Sequence, residues 1–177
     1  MNLTTRNLTV AAVVGAAYAA LTMALAPISF GAVQFRISEV FCILPFFLPH
    51  TAMGLFLGCA AANLLSAAGI MDVVFGSLAT LLAGLCAARI GRTCRTERRG
   101  PRAGEALAAC AMPVAFNAPI VGAVLAWLYT PGELFWSGFW LFGAQVGLGE
   151  AAVLFLLGYP AMRFLPRAKA LQKWLYS

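Results

Sequence analysis

Long apolar runs, separated by short polar or basic segments, recur along the whole chain. A helix that crosses the hydrocarbon core of a bilayer, roughly 30 Å thick, needs about 20 apolar residues. Backbone groups in lipid must be hydrogen-bonded within each run, and strand-like alternation is absent, so the pattern favours helices over a barrel. It predicts six transmembrane helices, at about residues 8–26, 38–48, 51–65, 72–90, 105–128 and 134–165.

Composition excludes a soluble globule, because 62% of the residues are hydrophobic and only 10% are charged, whereas about a quarter are charged in soluble domains. The chain is therefore predicted to be an all-α integral membrane protein, with residues 1–177 forming one transmembrane domain. The first apolar run is long for a signal peptide, so we expect it to stay in the mature protein as a helix.

Basic residues are concentrated in three places. Eleven of the twelve Lys and Arg residues fall in the N-terminal tail, in 89–102 or in 163–173. Such clusters mark cytoplasmic segments of membrane proteins, so both termini and a basic loop at 89–103 are predicted to lie in the cytoplasm. We interpret that loop as a solvated segment near anionic lipid, and no nucleic-acid partner is predicted.

Candidate chemistry for an enzyme or a metal centre is weak. The five cysteines form no CxxC pair and lie mostly in apolar runs, and His50 is the only histidine. No disulfide, metal site or cofactor is predicted, and no side chain has the partners of a nucleophilic triad. A membrane enzyme is therefore the weaker class.

A polar cluster interrupts the apolar pattern at the start of the stretch 34–63, QFRISEVFCILPFFLPHTAMGLFLGCAAAN. Arg36 is the only basic residue on the predicted outer side, and Glu39 follows it three positions later beside Gln34. Arg36 and Glu39 could simply pair with each other near the interface. We interpret the cluster as the mouth of a binding site.

Glu150 is the sharpest candidate inside the membrane, where a carboxylate is costly unless it is paired or faces a cavity. Spacings of four, three, four and three place Trp136, Trp140, Gly143, Gly147 and Glu150 on one helical face. Such a face could stack a planar heterocycle while the acid accepts its N–H groups. Alternatively, the tryptophans anchor the helix at the interface and Glu150 pairs with a neighbour.

Two further polar residues have open interpretations. Asn117 lies between Pro113 and Pro119, each of which frees a backbone carbonyl, so this helix could line a polar site or could only be kinked. Asp72 opens the fourth predicted helix, and we expect an N-cap there rather than a ligand contact.

Small residues form flat stripes that allow close helix approach. On the first helix they are Ala12, Ala16 and Ala20, which could contact either this chain or a partner. Gly54 and Gly58 on the third helix are assigned to packing within the chain.

The segments VQFRISEVFCILPFFLP, GLFLGCAAANLL, DVVFGSLATLLAG, FNAPIVG and VGLGE together resemble the QueT family of queuosine-precursor transporters. These are S components of energy-coupling factor (ECF) transporters. The resemblance implies a six-helix S-component fold that binds substrate from outside, performs no chemistry, and works with a transmembrane T component and two ABC ATPases in a prokaryotic cell membrane. The stripe Ala12, Ala16 and Ala20 would dock the T component. No GxxxxGK motif is present, which agrees with ATP hydrolysis in a partner.

The ligand that this resemblance implies is a 7-deazaguanine base. Glu150 would accept from its guanine-like edge, Trp140 would stack on it and Asn117 would contact a further polar edge. Gln34, Arg36 and Glu39 would form the loop that closes over the site. An S component for another vitamin-like heterocycle and a solitary secondary carrier stay as alternatives.

Overall fold

The computed structural model describes residues 4–31 and 33–167, and within these ranges every regular element is helical. The α-helices are α1 (Thr5–Ala24), α2 (Ala26–Ser29), α3 (Leu44–Phe47), α4 (Thr51–Asn63), α5 (Ser77–Ile90), α6 (Arg92–Thr96), α7 (Ala103–Tyr129), α8 (Phe135–Val153) and α9 (Tyr159–Phe164). Short 3₁₀ segments cover Ile37–Ile43, Gly132–Leu134 and Leu165–Arg167, and π-helical turns cover Asp72–Gly76 and Leu154–Gly158. The all-helical prediction is confirmed for this part of the chain.

Four helical segments of the described chain are long and apolar enough to cross a membrane: Thr5–Ala24, Asp72–Ile90, Ala103–Tyr129 and Gly132–Arg167. The segments Ile37–Phe47 and Thr51–Asn63 are apolar but shorter. The prediction of six transmembrane helices is therefore not confirmed: four segments of the described chain are long enough to cross, and these two fall short of the about 20 residues that a crossing needs.

The short segment Ile37–Phe47 lies at the centre of the bundle. Its 3₁₀ part contacts α1, α4, α5, α7 and α8. Pro45 has no backbone N–H to continue the hydrogen bonding, and it lies in the first turn of α3, where the missing donor is tolerated. The segment therefore brings the polar residues just before and within it into the interior.

Helices α1 and α4 pack with their backbones in contact. A Cβ atom on Gly54 would lie 1.9 Å from the carbonyl oxygen of Ala11, and one on Gly58 would lie 2.2 Å from that of Gly15. Only glycine permits so close an approach. The glycines of α4 thus pack within the chain against Ala11 and Gly15, whereas Ala12, Ala16 and Ala20 of α1 are exposed.

One end of the bundle carries the basic segment and is closed by an apolar core, and we call it the basic end. The core residues are Ile43, Phe46, Phe47, Ala87, Cys94, Ala106, Ala109, Cys110, Leu154 and Met162. The opposite end has the connections between helices at 64–71 and 130–134. Most of the buried polar side chains lie toward that end.

The basic segment is more ordered than a solvated loop. Residues 92–96 form α6, and Arg95 donates to the carbonyl oxygens of Phe46 and Ala88. Arg99 pairs with Glu105 at 2.7 Å. Arg92 and Arg98 are exposed, and the cytoplasmic position of this segment stays a prediction. The basic cluster at 163–173 is described as far as Arg167, and Lys169 and Lys173 lie outside the described residues.

Candidate functional site

Four charged side chains are buried together with neutral polar groups in the interior of the bundle. Arg36, Glu39, Asp72 and Glu150 are exposed by only 4%, 0%, 1% and 2%. Electrostatic interactions link Arg36 to Asp72 and Glu39, and link Glu150 to Arg36 and Glu39. We call these four residues the buried charge cluster. Charges so far from water are rare unless they are paired or functional.

The carboxylate of Glu39 has a partner on each oxygen. The Tyr18 hydroxyl donates to Oε1 at 2.5 Å, and the Cys42 thiol donates to Oε2 at 2.9 Å. One turn further along α1, the hydroxyls of Thr22 and Ser38 lie 2.6 Å apart. Polar side chains therefore join α1 to the central 3₁₀ segment, and each carboxylate oxygen of Glu39 accepts one hydrogen bond there.

Arg36 pairs with Asp72, a residue far along the chain, and not with Glu39. Its Nη2 donates to Oδ2 of Asp72 at 3.3 Å, its Nε donates to the Ser29 carbonyl oxygen at 3.4 Å, and its guanidinium lies 5.1 Å from the Phe30 ring centroid. The alternative that Arg36 pairs with its near neighbour is therefore wrong. The expected N-cap at Asp72 is also wrong, because Met71 holds the N-cap position, while Asp72 Oδ2 accepts from Arg36 and Oδ1 has no hydrogen-bond partner.

Asn117 and Glu150 face each other between α7 and α8. The Asn117 Nδ2 donates to Oε1 of Glu150, and Oε2 of Glu150 has no hydrogen-bond partner. Both residues are buried. The structure thus brings together two residues that the sequence had singled out separately, and it leaves one carboxylate oxygen free to accept.

Gln34 lies where the cluster meets an opening at the end of the bundle opposite the basic end. Its side chain is buried, and its backbone carbonyl oxygen lies only 2.6 Å from where a Cβ on Gly149 would be. The opening has a volume of about 200 Å³ and is lined by Phe30, Gly31, Gln34, Ser66, Ala67, Ala68, Leu125, Tyr129 and Phe142. Of the predicted site residues, only Gln34 lines this opening.

Trp140 is not brought together with the buried charge cluster. Its side chain is 71% exposed, and with Ala118, Pro119 and Gly143 it lines a shallow groove on the surface. Trp136 is also exposed. The stacking role of Trp140 stays a prediction that this placement does not favour.

Sequence reasoning missed several members of the site. Tyr18 stands in an apolar run, where a tyrosine is typical of core packing, and Asn63 ends α4 with its Nδ2 donating to the Asp72 carbonyl oxygen at 2.9 Å. Thr80 donates to the Gly76 carbonyl oxygen at 3.1 Å. The only signal was a lone polar residue inside each apolar run.

The alanine stripe of α1 forms part of the outer surface. Ala12, Ala16 and Ala20 are exposed, and the first two line a groove of about 290 Å³ between α1 and α4. Its other walls include Met53 and Leu57. The face is flat and apolar, as a helix-packing surface requires.

Among residues 4–31 and 33–167 no group of three or more His, Cys, Asp or Glu side chains could hold a metal ion. What the cluster offers chemically is hydrogen-bond acceptance in a water-poor interior. Hydrogen-bond acceptors in such an interior suit a polar solute that carries N–H or O–H groups.

Comparison with known proteins identifies a transporter family. The family model described as QueT transporter matches residues 8–167. A protein of Lactococcus lactis subsp. cremoris (strain MG1363), named Queuosine precursor transporter QueT, is 38% identical over 80 residues, which cover 44% of this chain and 47% of that protein. The alignment thus spans about half of the relative's length. No solved structure matches the chain.

Proposed function

This chain belongs to the QueT transporter family, and from that premise we propose that it is the substrate-binding S component of an ECF importer. It captures a 7-deazaguanine precursor of queuosine from outside the cell and delivers it to the cytoplasm. The name of the Lactococcus lactis relative supports this substrate class. The chain is a membrane transport protein, and hydrolysis of ATP is assigned to two partner ATPases.

The pairing of Asn117 with Glu150 is the observation that carries the proposal. One carboxylate oxygen is held by the amide and the other is free. A guanine-like base presents adjacent N–H donors, for which a fixed, buried carboxylate is the natural acceptor, and such charge-assisted bonds are about twice as strong as neutral ones. Glu150 therefore accepts hydrogen bonds from the N–H groups of the base, and Asn117 orients the Glu150 carboxylate.

The remaining predicted site residues have supporting roles. Arg36 ties the loop before the central segment to Asp72, Glu39 ties it to α1 through Tyr18, and Gln34 lines the opening. We propose that this loop closes over the bound substrate. Trp140 would stack on the base only if α8 turned inward.

Topology supports uptake from outside. The segments Ile37–Phe47 and Thr51–Asn63 contribute an even number of crossings, whether each crosses or both form a re-entrant hairpin. With an even number of crossings, the positive-inside bias supports our proposal that the N-terminus, the basic segment and the C-terminus lie in the cytoplasm of a prokaryote. We propose that the opening beside Gln34 faces the outside of the cell.

The alanine face of α1 is proposed as the docking surface for the T component. Ala12 and Ala16 line an apolar groove with α4, and Ala20 extends the same exposed face. A flat face of this kind lets a partner helix approach closely.

Calorimetric titration of the detergent-purified chain tests the ligand. The probes are 7-deazaguanine bases, guanine, and riboflavin as an unrelated vitamin. Glu150→Gln is measured in parallel, because its amide NH₂ would face the N–H donors of the base. Glu133→Gln is the matched control, since Glu133 is exposed.

Binding of a deazaguanine that Glu150→Gln abolishes and Glu133→Gln preserves would support both the substrate class and the acceptor. Binding that survives Glu150→Gln would keep the substrate class and move recognition to Glu39. A folded protein that binds no deazaguanine would refute the proposed substrate.

A further inference from the structure

At the basic end, α5 continues almost directly into α6. Helix α5 ends at Ile90 and α6 begins at Arg92, and Gly91 between them keeps a right-handed helical conformation, with φ −72° and ψ −6°. A Cβ on Gly91 would overlap the carbonyl oxygen of Phe46. The junction is therefore held against the end of the central segment, and its opposite side faces away from the bundle.

The arginines of this junction divide between its two sides. Arg95 is half-buried, and its guanidinium donates to the carbonyl oxygens of Phe46 and Ala88. Arg89 and Arg92 are exposed, and within the described part of the chain neither guanidinium has a hydrogen bond or an ion pair. Because Arg95 already donates to the carbonyl oxygens here, the two exposed guanidinium groups can bind an acceptor from outside the chain.

The two exposed arginines also lie close together and keep their charge. Glu97 and Glu105, the acidic residues of the basic segment, both pair with Arg99, at 2.5 Å and 2.7 Å. Arg89 and Arg92 are three positions apart, and side chains at this interval on a helical backbone are neighbours, with Cβ atoms about 5–6 Å apart. The pair therefore presents two adjacent guanidinium groups, and guanidinium groups suit a phosphate because they can donate two hydrogen bonds at once.

The surface of α5 beside these arginines is apolar. Leu78 and Leu85 are 41% and 47% exposed, and intervals of seven and four residues place them on the same side of the helix as Arg89. The segment Asp72–Ile90 is long and apolar enough to cross a membrane, and Arg89 lies in its last turn. The leucines therefore lie at the level of the acyl chains, and the arginines reach the level of the lipid headgroups.

We propose that Arg89 and Arg92 bind the phosphate of an anionic phospholipid, whose acyl chains lie along Leu78 and Leu85. This inference does not depend on which substrate the chain transports. The basic end is proposed to face the cytoplasm, and anionic lipids of the cytoplasmic leaflet attract arginines at the membrane surface. Phosphatidylcholine carries the same phosphate together with a choline cation, which two adjacent arginines repel. The site thus selects a lipid by its net negative charge.

Native mass spectrometry of the detergent-purified chain tests this selection. Phosphatidylglycerol and phosphatidylcholine with identical acyl chains are titrated separately, and the first lipid-bound state is quantified. We expect phosphatidylglycerol to bind at least tenfold tighter to the wild-type chain. Equal affinities of the two lipids would overturn the proposal. Displacement of phosphatidylglycerol by an excess of glycerol 3-phosphate would also overturn it, because the site would then take a soluble phosphate without acyl chains.

Single variants then locate the site. Arg89→Gln and Arg92→Gln each remove one charge, and each is expected to lower the preference for phosphatidylglycerol about fivefold while phosphatidylcholine binds as before. Arg98→Gln is the matched control, because it removes the same charge from an exposed residue of the basic segment that lies beyond α6. An equal loss in all three variants would show attraction by net charge alone and would overturn the assignment to Arg89 and Arg92.

A protein partner is the competing occupant of this face. If acidic residues of the T component or the ATPases bound here instead, the wild-type chain would show no preference between the lipids. The double variant Arg89→Gln with Arg92→Gln would then fail to co-purify with those partners, and this combination would overturn the lipid site. Loss of the lipid preference in the double variant, together with normal co-purification, would support it.

Discussion

Asn117 on α7 holds Glu150 on α8 by a single hydrogen bond to Oε1. The two residues come from the antiparallel pair α7 and α8, whose backbones approach closely: a Cβ on Gly122 would lie 2.7 Å from the Cα of Gly143. The close approach lets a short amide reach the carboxylate. Removing one partner leaves the other buried and unsatisfied, which costs more than replacing both.

Asn117→Leu is therefore expected to lower the melting temperature in detergent, because a buried polar group without its partner costs about 1–3 kcal/mol. The double variant Asn117→Leu with Glu150→Leu is expected to recover most of this loss, since it leaves no orphaned carboxylate. Both are measured by thermal unfolding without ligand. A double variant less stable than Asn117→Leu would show that the pair contributes more than mutual satisfaction.

Trp140→Leu tests the stacking hypothesis. The indole is 71% exposed, so we expect the variant to bind a 7-deazaguanine with an affinity within about twofold of the wild type. This change in binding free energy is smaller than the about 1.4 kcal/mol that corresponds to a tenfold change in affinity. Calorimetry measures it beside Trp136→Leu, a second exposed indole. A loss of tenfold or more in Trp140→Leu alone would show that α8 turns this side chain toward the ligand.

The helical class and the QueT resemblance could be predicted because long apolar runs have few structural solutions and because the motif segments lie in order. The direction in which the Trp140 side chain points could not be predicted. Trp140 and Glu150 are ten residues apart, and in an ideal helix two side chains at this interval point in directions about 80° apart. Residues at alternating three- and four-residue spacings therefore shift gradually around the helix and do not stay on one face.

The ion-pair partner of Arg36 also could not be predicted from the sequence. Glu39 is three positions away, but Asp72 is thirty-six positions away and accepts the guanidinium instead. Glu39 is already taken by Tyr18 and Cys42. Which carboxylate pairs with Arg36 depends on how the 3₁₀ segment packs among five helices. The spacing of residues along the sequence does not determine this packing.

Gly54→Ala tests the backbone contact of α1 with α4. The added Cβ would lie 1.9 Å from the Ala11 carbonyl oxygen, and a backbone atom cannot move aside as a side chain can. Overpacking of this kind costs about 1–3 kcal/mol, so the melting temperature should fall. Gly104→Ala is the control, because nothing lies within 4 Å of its added Cβ. Equal melting temperatures would contradict the contact.

Cys94 on α6, outside the four long spans, is expected to be chemically inert. Burial, together with a hydrogen bond to Glu105, raises the pKa of its thiol to about 11. Maleimide reacts with the thiolate, so labelling of folded protein at pH 7.5 should be slow and should accelerate as the pH rises toward 11. Peptide mass spectrometry measures the rate, with urea-unfolded protein as the control. Equal rates for folded and unfolded protein at pH 7.5 would contradict the burial.

Ala16→Leu separates partner docking from substrate binding. Ala16 is exposed on the face that lines the groove between α1 and α4, whereas the buried charge cluster reaches α1 through Tyr18 on another side. The larger side chain should block a partner helix and leave deazaguanine affinity unchanged. Co-purification with a T component and its two ATPases should fall at least tenfold, and Val13→Leu, at an exposed position outside the stripe, should assemble normally. Normal assembly of Ala16→Leu would move the docking surface off α1, because no flat small-residue face could survive a leucine at its centre.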